Sequence, residues 1–284
     1  MSISVISACG NRGPALTVSI SSWIQYDEID EIIVTDWNSK EPISHLSELD
    51  PRIKIITVPD EPYFNQPQPL NLAASLTKGD RILKLDSDTV LNPYFSFFEH
   101  HDIDENSFLT GTDESWSFYH EDNRSKMFQY QHYLYFKALW GTLYITRENY
   151  FKLGGYNERI SYFTAWEDTE IYERALRLGL KHKEIQFGEK TLFSLPHEAK
   201  KRVENFKAYH KNPELLDAIR NHIKTYNNVE DENIVHKLVL EKFNRLNHKK
   251  YKLKENSSYY VKPVVQWDIQ QVSNQHYVAH KIPQ

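Results

Sequence analysis

Cys9 is the only cysteine among 284 residues, so no disulfide can form within the chain, and a reducing compartment is the simplest setting. Also missing is any apolar run approaching the roughly 18 residues that a membrane span requires. Ile6-Ser7-Ala8-Cys9 resembles a lipoprotein cleavage box. No Lys or Arg precedes it, however, and the run ahead of it is too short for an export signal. The expectation is a plain buried strand and a cytoplasmic protein. A basic excess is lacking as well: the formal net charge is -5 and the pI is near 6.2, which argues against nucleic acid as a partner. No internal repeat and no low-complexity block interrupts the chain. What is present, 40% hydrophobic and 13% aromatic residues, suffices for one large domain or one domain with an appendage.

Along the chain, β-prone runs alternate with helix-compatible ones. Ile3 to Ala8, Glu31 to Asp36, Ile53 to Val58 and Arg81 to Leu85 read as strands, with helices predicted at Ala15 to Ile24 and Leu70 to Leu76. That alternation predicts an α/β fold with a mainly parallel sheet, whose ligands bind beyond the carboxyl ends of the strands. Asn11 and Arg12, Asp36, and Asp86 to Asp88 all fall at such ends. Phe95 to Tyr135 is irregular, and loops with a helix are expected there. Gly141 to Thr146 reads as a further strand, Arg147 to Lys152 as a short helix, and Thr169 to Leu178 as a helix closed by Gly179. From Lys200 onward 16 Lys and Arg stand against 9 Asp and Glu, so the acidic excess belongs to the first 199 residues. Asn212 to Leu246 has helical periodicity. The expected division is therefore a domain over 1–205 and a mainly helical, basic extension over 206–284.

The pair Asp86-Ser87-Asp88 follows a strand, where a turn can aim both carboxylates at one hard cation such as Mn²⁺ or Mg²⁺. An Asx-turn with a solvated second acid is the ordinary alternative for so short a motif. Three further segments narrow the choice: Phe64-Asn-Gln-Pro-Gln-Pro-Leu-Asn71; Trp140-Gly-Thr142 with Gly154-Gly-Tyr-Asn157 and Ala165-Trp-Glu-Asp-Thr-Glu170; and Leu195-Pro-His197 with Lys200, Lys201 and Arg202 behind it. In this order and spacing, residues 3 to 205 resemble the inverting glycosyltransferases of the GT-A fold, above all family 2 and the C-terminal part of the β-1,4-galactosyltransferases.

That resemblance implies a GT-A, Rossmann-like sheet and a metal-dependent transfer of a sugar from a nucleotide donor, UDP foremost, to a saccharide or lipid-linked glycan, as in bacterial surface polysaccharide synthesis. It implies donor-binding roles for Asn11, Arg12, Asp36, Asn71, Asp86, Ser87 and Arg202, with Asp36 at the base. Asp88 and His197 would ligate Mn²⁺ or Mg²⁺ beside Asp86. Asp168 would be the catalytic base with Glu167 next to it, and Trp140, Gly141, Tyr162 and Trp166 would line the acceptor side. Two departures bear on the donor sugar: Thr169 and Glu170 follow Asp168 where the galactosyltransferases carry further acids, and Asn65-Gln66-Pro67 replaces their Asn-Arg-Ala. Ordinary readings stand beside these roles. Glu167 and Asp168 suit a helix N-terminus, and Lys200 to Arg202 suit a solvated charge run. The basic extension could touch an anionic membrane surface at its periphery. A sugar-nucleotide nucleotidyltransferase would need a longer, glycine-richer first loop than Cys9-Gly-Asn-Arg-Gly-Pro14; a glycan- or nucleotide-sugar-binding module without turnover is the non-enzymatic alternative.

Overall fold

A computed structural model describes residues 1–61, 64–111, 128–130, 133–135, 141–159, 167–185, 191–195 and 258–283. Four parallel strands, β1 (Ile3–Cys9), β2 (Ile29–Trp37), β3 (Ile53–Val58) and β4 (Arg81–Lys84), lie in the order β3-β2-β1-β4. β5 (Thr89–Leu91) leaves that sheet, and β6 (Ser107–Thr110) returns to it. β7 (Phe128–Tyr130) and β8 (Tyr133–Tyr135) form a separate antiparallel pair. β9 (Leu143–Thr146) then runs antiparallel between β4 and β6, and β10 (Lys181–Glu184) pairs parallel with β6 at one edge. β11 (Leu192–Ser194) pairs antiparallel with β5. A hairpin of β12 (Trp267–Gln271) and β13 (His276–Lys281) extends the other edge, with β13 parallel to β3. Among the described residues the main sheet has nine strands, ordered β10-β6-β9-β4-β1-β2-β3-β13-β12.

Alternation along the strands feeds two apolar layers. Ile3, Val5 and Cys9 of β1 pack with Leu16, Ile20 and Trp23 of α1 (Gly13–Trp23). Ile6 and Ala8 pack on the opposite face with α2 (Pro67–Ser75), α4 (Arg147–Lys152) and α5 (Glu167–Arg177). A sheet covered on both faces accounts for the near-continuous apolar runs of its strands. In β4, Leu83 and the following Leu85 join the first layer and Ile82 the second; the same period of two sends Lys84 to the α5 side. α1 opens at Gly13-Pro14, where the fixed proline φ suits a first helical turn. The Trp23 indole donates to the Thr89 carbonyl at 2.8 Å. Short α3 (Phe97–His100) closes the end of the first layer.

Glu31 staples three segments together. It accepts from Ser4 Oγ (2.7 Å), from the backbone N–H of Lys78 (2.5 Å) and from Lys54 Nζ (2.6 Å). Burial opposes its charge, but these donors prevail and hold its carboxyl below the ordinary value of 4.5.

Within 206–284, expected to be a mainly helical extension with a mixed stretch from Tyr259 to Gln284, residues 258–283 include two strands of the main sheet. Trp267 and Ile269 are half-buried and alternate with exposed Asp268 and Gln270, the period of a strand. β13 covers the edge that β3 would otherwise leave open. The periodic stretch Asn212 to Leu246 lies outside the described residues.

Candidate functional site

The carboxyl ends of β1 to β4 share one rim, and the loops leaving them build its walls. Asn11, with φ 57° in the left-handed region that asparagine tolerates, bridges the first two loops: its N–H donates to Ser39 Oγ at 3.0 Å and its Oδ1 accepts from Lys40 N–H at 2.8 Å. Asp36 is buried at the end of β2 and accepts from the backbone N–H groups of Ser39 (3.4 Å) and Ile43 (3.2 Å). Both residues thus shape the loop after β2. Arg12 turns the other way, and its guanidinium reaches Asp88 Oδ2 at 2.8 Å.

The paired acids sit on a turn in which Thr89 N–H donates to the Asp86 carbonyl at 2.9 Å. Asp86 Oδ1 accepts from Lys84 Nζ at 2.8 Å and from Gln66 Nε2 at 3.1 Å. Its Oδ2 faces Gly141 so closely that a Cβ at that glycine would lie 2.2 Å away. Ser87 and Asp88 are buried. The N–H of Leu195, just past β11, donates to the Asp88 carbonyl at 2.7 Å. The chain therefore stands beside Asp88 two residues ahead of His197, which itself lies outside the described residues.

Asp168 approaches from the second layer, in the first turn of α5. With Glu167 and Glu170 it forms an acidic helix start, the placement that the helix dipole favours. Its Oδ1 accepts from Lys84 Nζ at 3.2 Å and from the Tyr156 hydroxyl at 3.0 Å. Burial raises its carboxyl most, the Lys84 charge opposes that, and the charges of Glu167 and Asp86 add to the rise; the result is about 7. A carboxylate so placed can exchange a proton near neutral pH. Lys84 is wholly buried, which disfavours its charge, but Asp168 and Asp86 outweigh this and hold it as an ammonium.

Asn71, expected on the donor side, bonds to the loop that follows α4. Its Oδ1 accepts from Tyr150 hydroxyl (2.9 Å) and Tyr156 N–H (2.8 Å), while its Nδ2 donates to Tyr156 carbonyl (2.8 Å) and Glu158 Oε1 (3.0 Å). All four hydrogen-bonding positions of the amide are taken, so Asn71 pins the Gly154-to-Glu158 loop. Arg174 of α5 holds the same loop through the carbonyls of Leu153 (2.6 Å) and Gly155 (2.7 Å). Trp140, Tyr162, Trp166, His197 and Arg202 lie outside the described residues. Among the described residues no group of three or more His, Cys, Asp and Glu could hold a metal, and no helix is long and apolar enough to cross a membrane.

Lys84, Tyr156 and Gln66 were not singled out by the sequence reading. For Lys84 a signal exists: it is the one charge in Ile82-Leu83-Lys84-Leu85, a run buried throughout. Tyr156 and Gln66 lie in Gly154-Gly-Tyr-Asn157 and Asn65-Gln66-Pro67, but nothing in those segments points to their partners Asp168 and Asp86, 12 and 20 residues away.

No family model matches the chain, and no curated protein does. Among solved structures it is similar to a mutant of Drosophila β-1,4-galactosyltransferase 7 in complex with manganese, UDP-Gal and xylobiose, with 14% identity and a TM-score of 0.52 over 99% of this chain and 92% of that one. Weaker likenesses are to S. aureus TarS with UDP (16% identity, TM-score 0.48, covering 90% and 76%) and to the mannosyltransferase PcManGT of Pyrobaculum calidifontis with GDP-Man and Mn²⁺ (13%, 0.49, covering 89% and 76%). The first of these, with the sheet order above, shows that the chain has the GT-A fold.

Proposed function

We propose that this chain is a metal-dependent glycosyltransferase that moves a sugar from a nucleotide donor, with UDP as the nucleotide, to a saccharide hydroxyl with inversion. One observation carries the reading. A single buried ammonium, Lys84 Nζ, lies 2.8 Å from Asp86 Oδ1 and 3.2 Å from Asp168 Oδ1, so the paired-acid turn and the acid of α5 converge. The GT-A fold supports it, as does the manganese, UDP-Gal and xylobiose bound by the Drosophila neighbour.

The residues present fit a divalent cation. Asp86 and Asp88 offer carboxylate oxygens, and Asp88 is already paired with a positive group, Arg12. Mn²⁺ and Mg²⁺ are typically held by one or two carboxylates together with substrate phosphates. Asp88 and His197 would hold the ion, with Asp86 adjoining. When bound, it would neutralise charge on the departing diphosphate.

The chain's own residues do the rest. The reading gives donor binding to Asn11, Arg12, Asp36, Asn71, Ser87 and Arg202, and acceptor binding to Trp140, Gly141, Tyr162 and Trp166. Asp168 takes the proton of the acceptor hydroxyl as its oxygen bonds to the anomeric carbon and the bond from that carbon to the diphosphate breaks. Tyr156 and Lys84 keep Asp168 in place, and Glu167 orients the acceptor. A base opposite the leaving group inverts the anomeric centre, so an α-linked donor yields a β-linkage. The test is release of UDP from a panel of UDP-sugars offered with saccharide acceptors, with and without Mn²⁺. Mn²⁺-dependent release that requires an acceptor is expected; nucleotide binding without any release would reject the enzyme in favour of a binding module.

A further inference from the structure

The geometry points to Lys84 as a positioning residue that sets the donor-side acid Asp86 and the base Asp168 at a fixed separation. The inference rests on the glycosyltransferase reading and adds to it a residue whose ammonium touches no substrate. An ammonium has three N–H donors. Around Nζ stand three acceptors from separate segments: the Gly141 carbonyl at 2.5 Å, Asp86 Oδ1 at 2.8 Å and Asp168 Oδ1 at 3.2 Å.

All three donors are therefore assigned, and the side chain is 0% exposed, so no substrate atom can reach it. The ammonium acts instead as a rigid three-way joint between the turn after β4, the start of β9 and the first turn of α5. Gln66 Nε2, 3.1 Å from Asp86 Oδ1, fixes the same carboxylate from the α2 side. Errors of about 1 Å in such a constellation can cost on the order of a hundredfold in rate. Arginine does not replace this joint, because its longer planar fork cannot present three diverging donors within one small cage.

The experiment compares wild type, Lys84→Met, Lys84→Arg, Asp168→Asn and the double variant Lys84→Met/Asp168→Asn. Each is assayed for turnover with the UDP-sugar and saccharide that the panel selects, for binding of UDP with Mn²⁺ by calorimetry, and for thermal unfolding. Lys84→Met takes the buried cation from Asp86 and Asp168 and is expected to be destabilised, so it is assayed under conditions where thermal unfolding shows it folded. It should lose roughly a hundredfold in kcat and at least about threefold in UDP·Mn²⁺ affinity. Because Lys84 acts through Asp168, the double variant should be little slower than Asp168→Asn alone, a departure from additivity that a purely structural residue would not give. Lys84→Arg should retain less than about a tenth of the turnover. A folded Lys84→Met with kcat within about threefold of wild type overturns the inference. So does a Lys84→Arg with undiminished kcat, which decides the matter if the methionine variant does not fold. A wild-type protein that neither binds UDP with Mn²⁺ nor releases UDP from any donor rejects the glycosyltransferase reading itself, before any variant is compared.

Discussion

In the proposed reaction, Asp168 sets the pH at which transfer proceeds. Its carboxyl, raised to about 7 chiefly by burial, accepts a proton only when ionised. Transfer should therefore rise as pH climbs through about 7 and level off above it. Asp168→Asn should remove that limb and lose at least roughly a hundredfold in kcat, while UDP·Mn²⁺ affinity stays within a few-fold; Glu167→Gln should be milder. The raised value has a second consequence. The folded state holds this proton more tightly than the unfolded chain, so Asp168 makes stability fall as pH rises from its ordinary 3.8 toward about 7. Urea titrations at the two ends of that window should show the stability difference between Asp168→Asn and wild type moving in the variant's favour at the upper end; a difference independent of pH would mean that Asp168 ionises normally. Asp88, paired with Arg12 at 2.8 Å, gives a separate test: Asp88→Asn should keep the fold and abolish the response of turnover to Mn²⁺. Near-normal Mn²⁺-dependent activity would remove Asp88 from the metal site.

The elements legible in the sequence are those whose period repeats long enough to be seen. β3 runs over the predicted Ile53 to Val58, and α4 over the predicted Arg147 to Lys152; α5 begins two residues earlier than expected, so that Glu167 and Asp168 lie inside its first turn. β5, β6, β10 and β11, of three or four residues, were not legible; β4 and β9 are as short but stand in the apolar runs Ile82 to Leu85 and Leu143 to Ile145, which marked them. The site divides in the same way. Asp86, Asp88 and Asp168 were named from motifs, and the fold brings Asp86 and Asp168 onto one ammonium. The joint at Lys84 depends on three segments brought together by folding, and the bonds of Asn71 to the loop after α4 are likewise invisible to a motif. The loop at Gly154 shows how strict such packing is. Gly154 has φ 76°, and a Cβ there would lie 1.8 Å from the Val261 carbonyl, so Gly154→Ala should lose at least about 1–3 kcal/mol in urea unfolding. Glu31 contributes on the acid side. Its depressed carboxyl contributes stability that is complete above the ordinary 4.5 and fades as pH falls through its folded value, so Glu31→Gln should flatten the acid branch of the stability curve.

For the molecule as a whole, residues 258–283 are part of the scaffold. Glu158 Oε2 accepts the backbone N–H groups of Val264 (2.7 Å) and Val265 (2.8 Å), while its Oε1 bonds Asn71, which holds Tyr156 against Asp168. Lys281 Nζ stands 5.1 Å from the Trp37 ring and 5.8 Å from the Trp267 ring, locking the hairpin over the end of β2. A chain ending at residue 257 should therefore unfold non-cooperatively or precipitate at every ionic strength. If it stayed folded with wild-type kcat, these strands would be dispensable. Thr57 and His276, bonded at 3.0 Å between β3 and β13, are 219 residues apart. At about 5–20 residues per second, a ribosome makes β3 roughly ten to forty seconds before it makes the strand that covers it. During that interval the nascent chain displays an open, apolar edge to every neighbouring polysome, so soluble yield in a cell should follow chaperone supply and elongation rate as closely as it follows the stability of the finished protein.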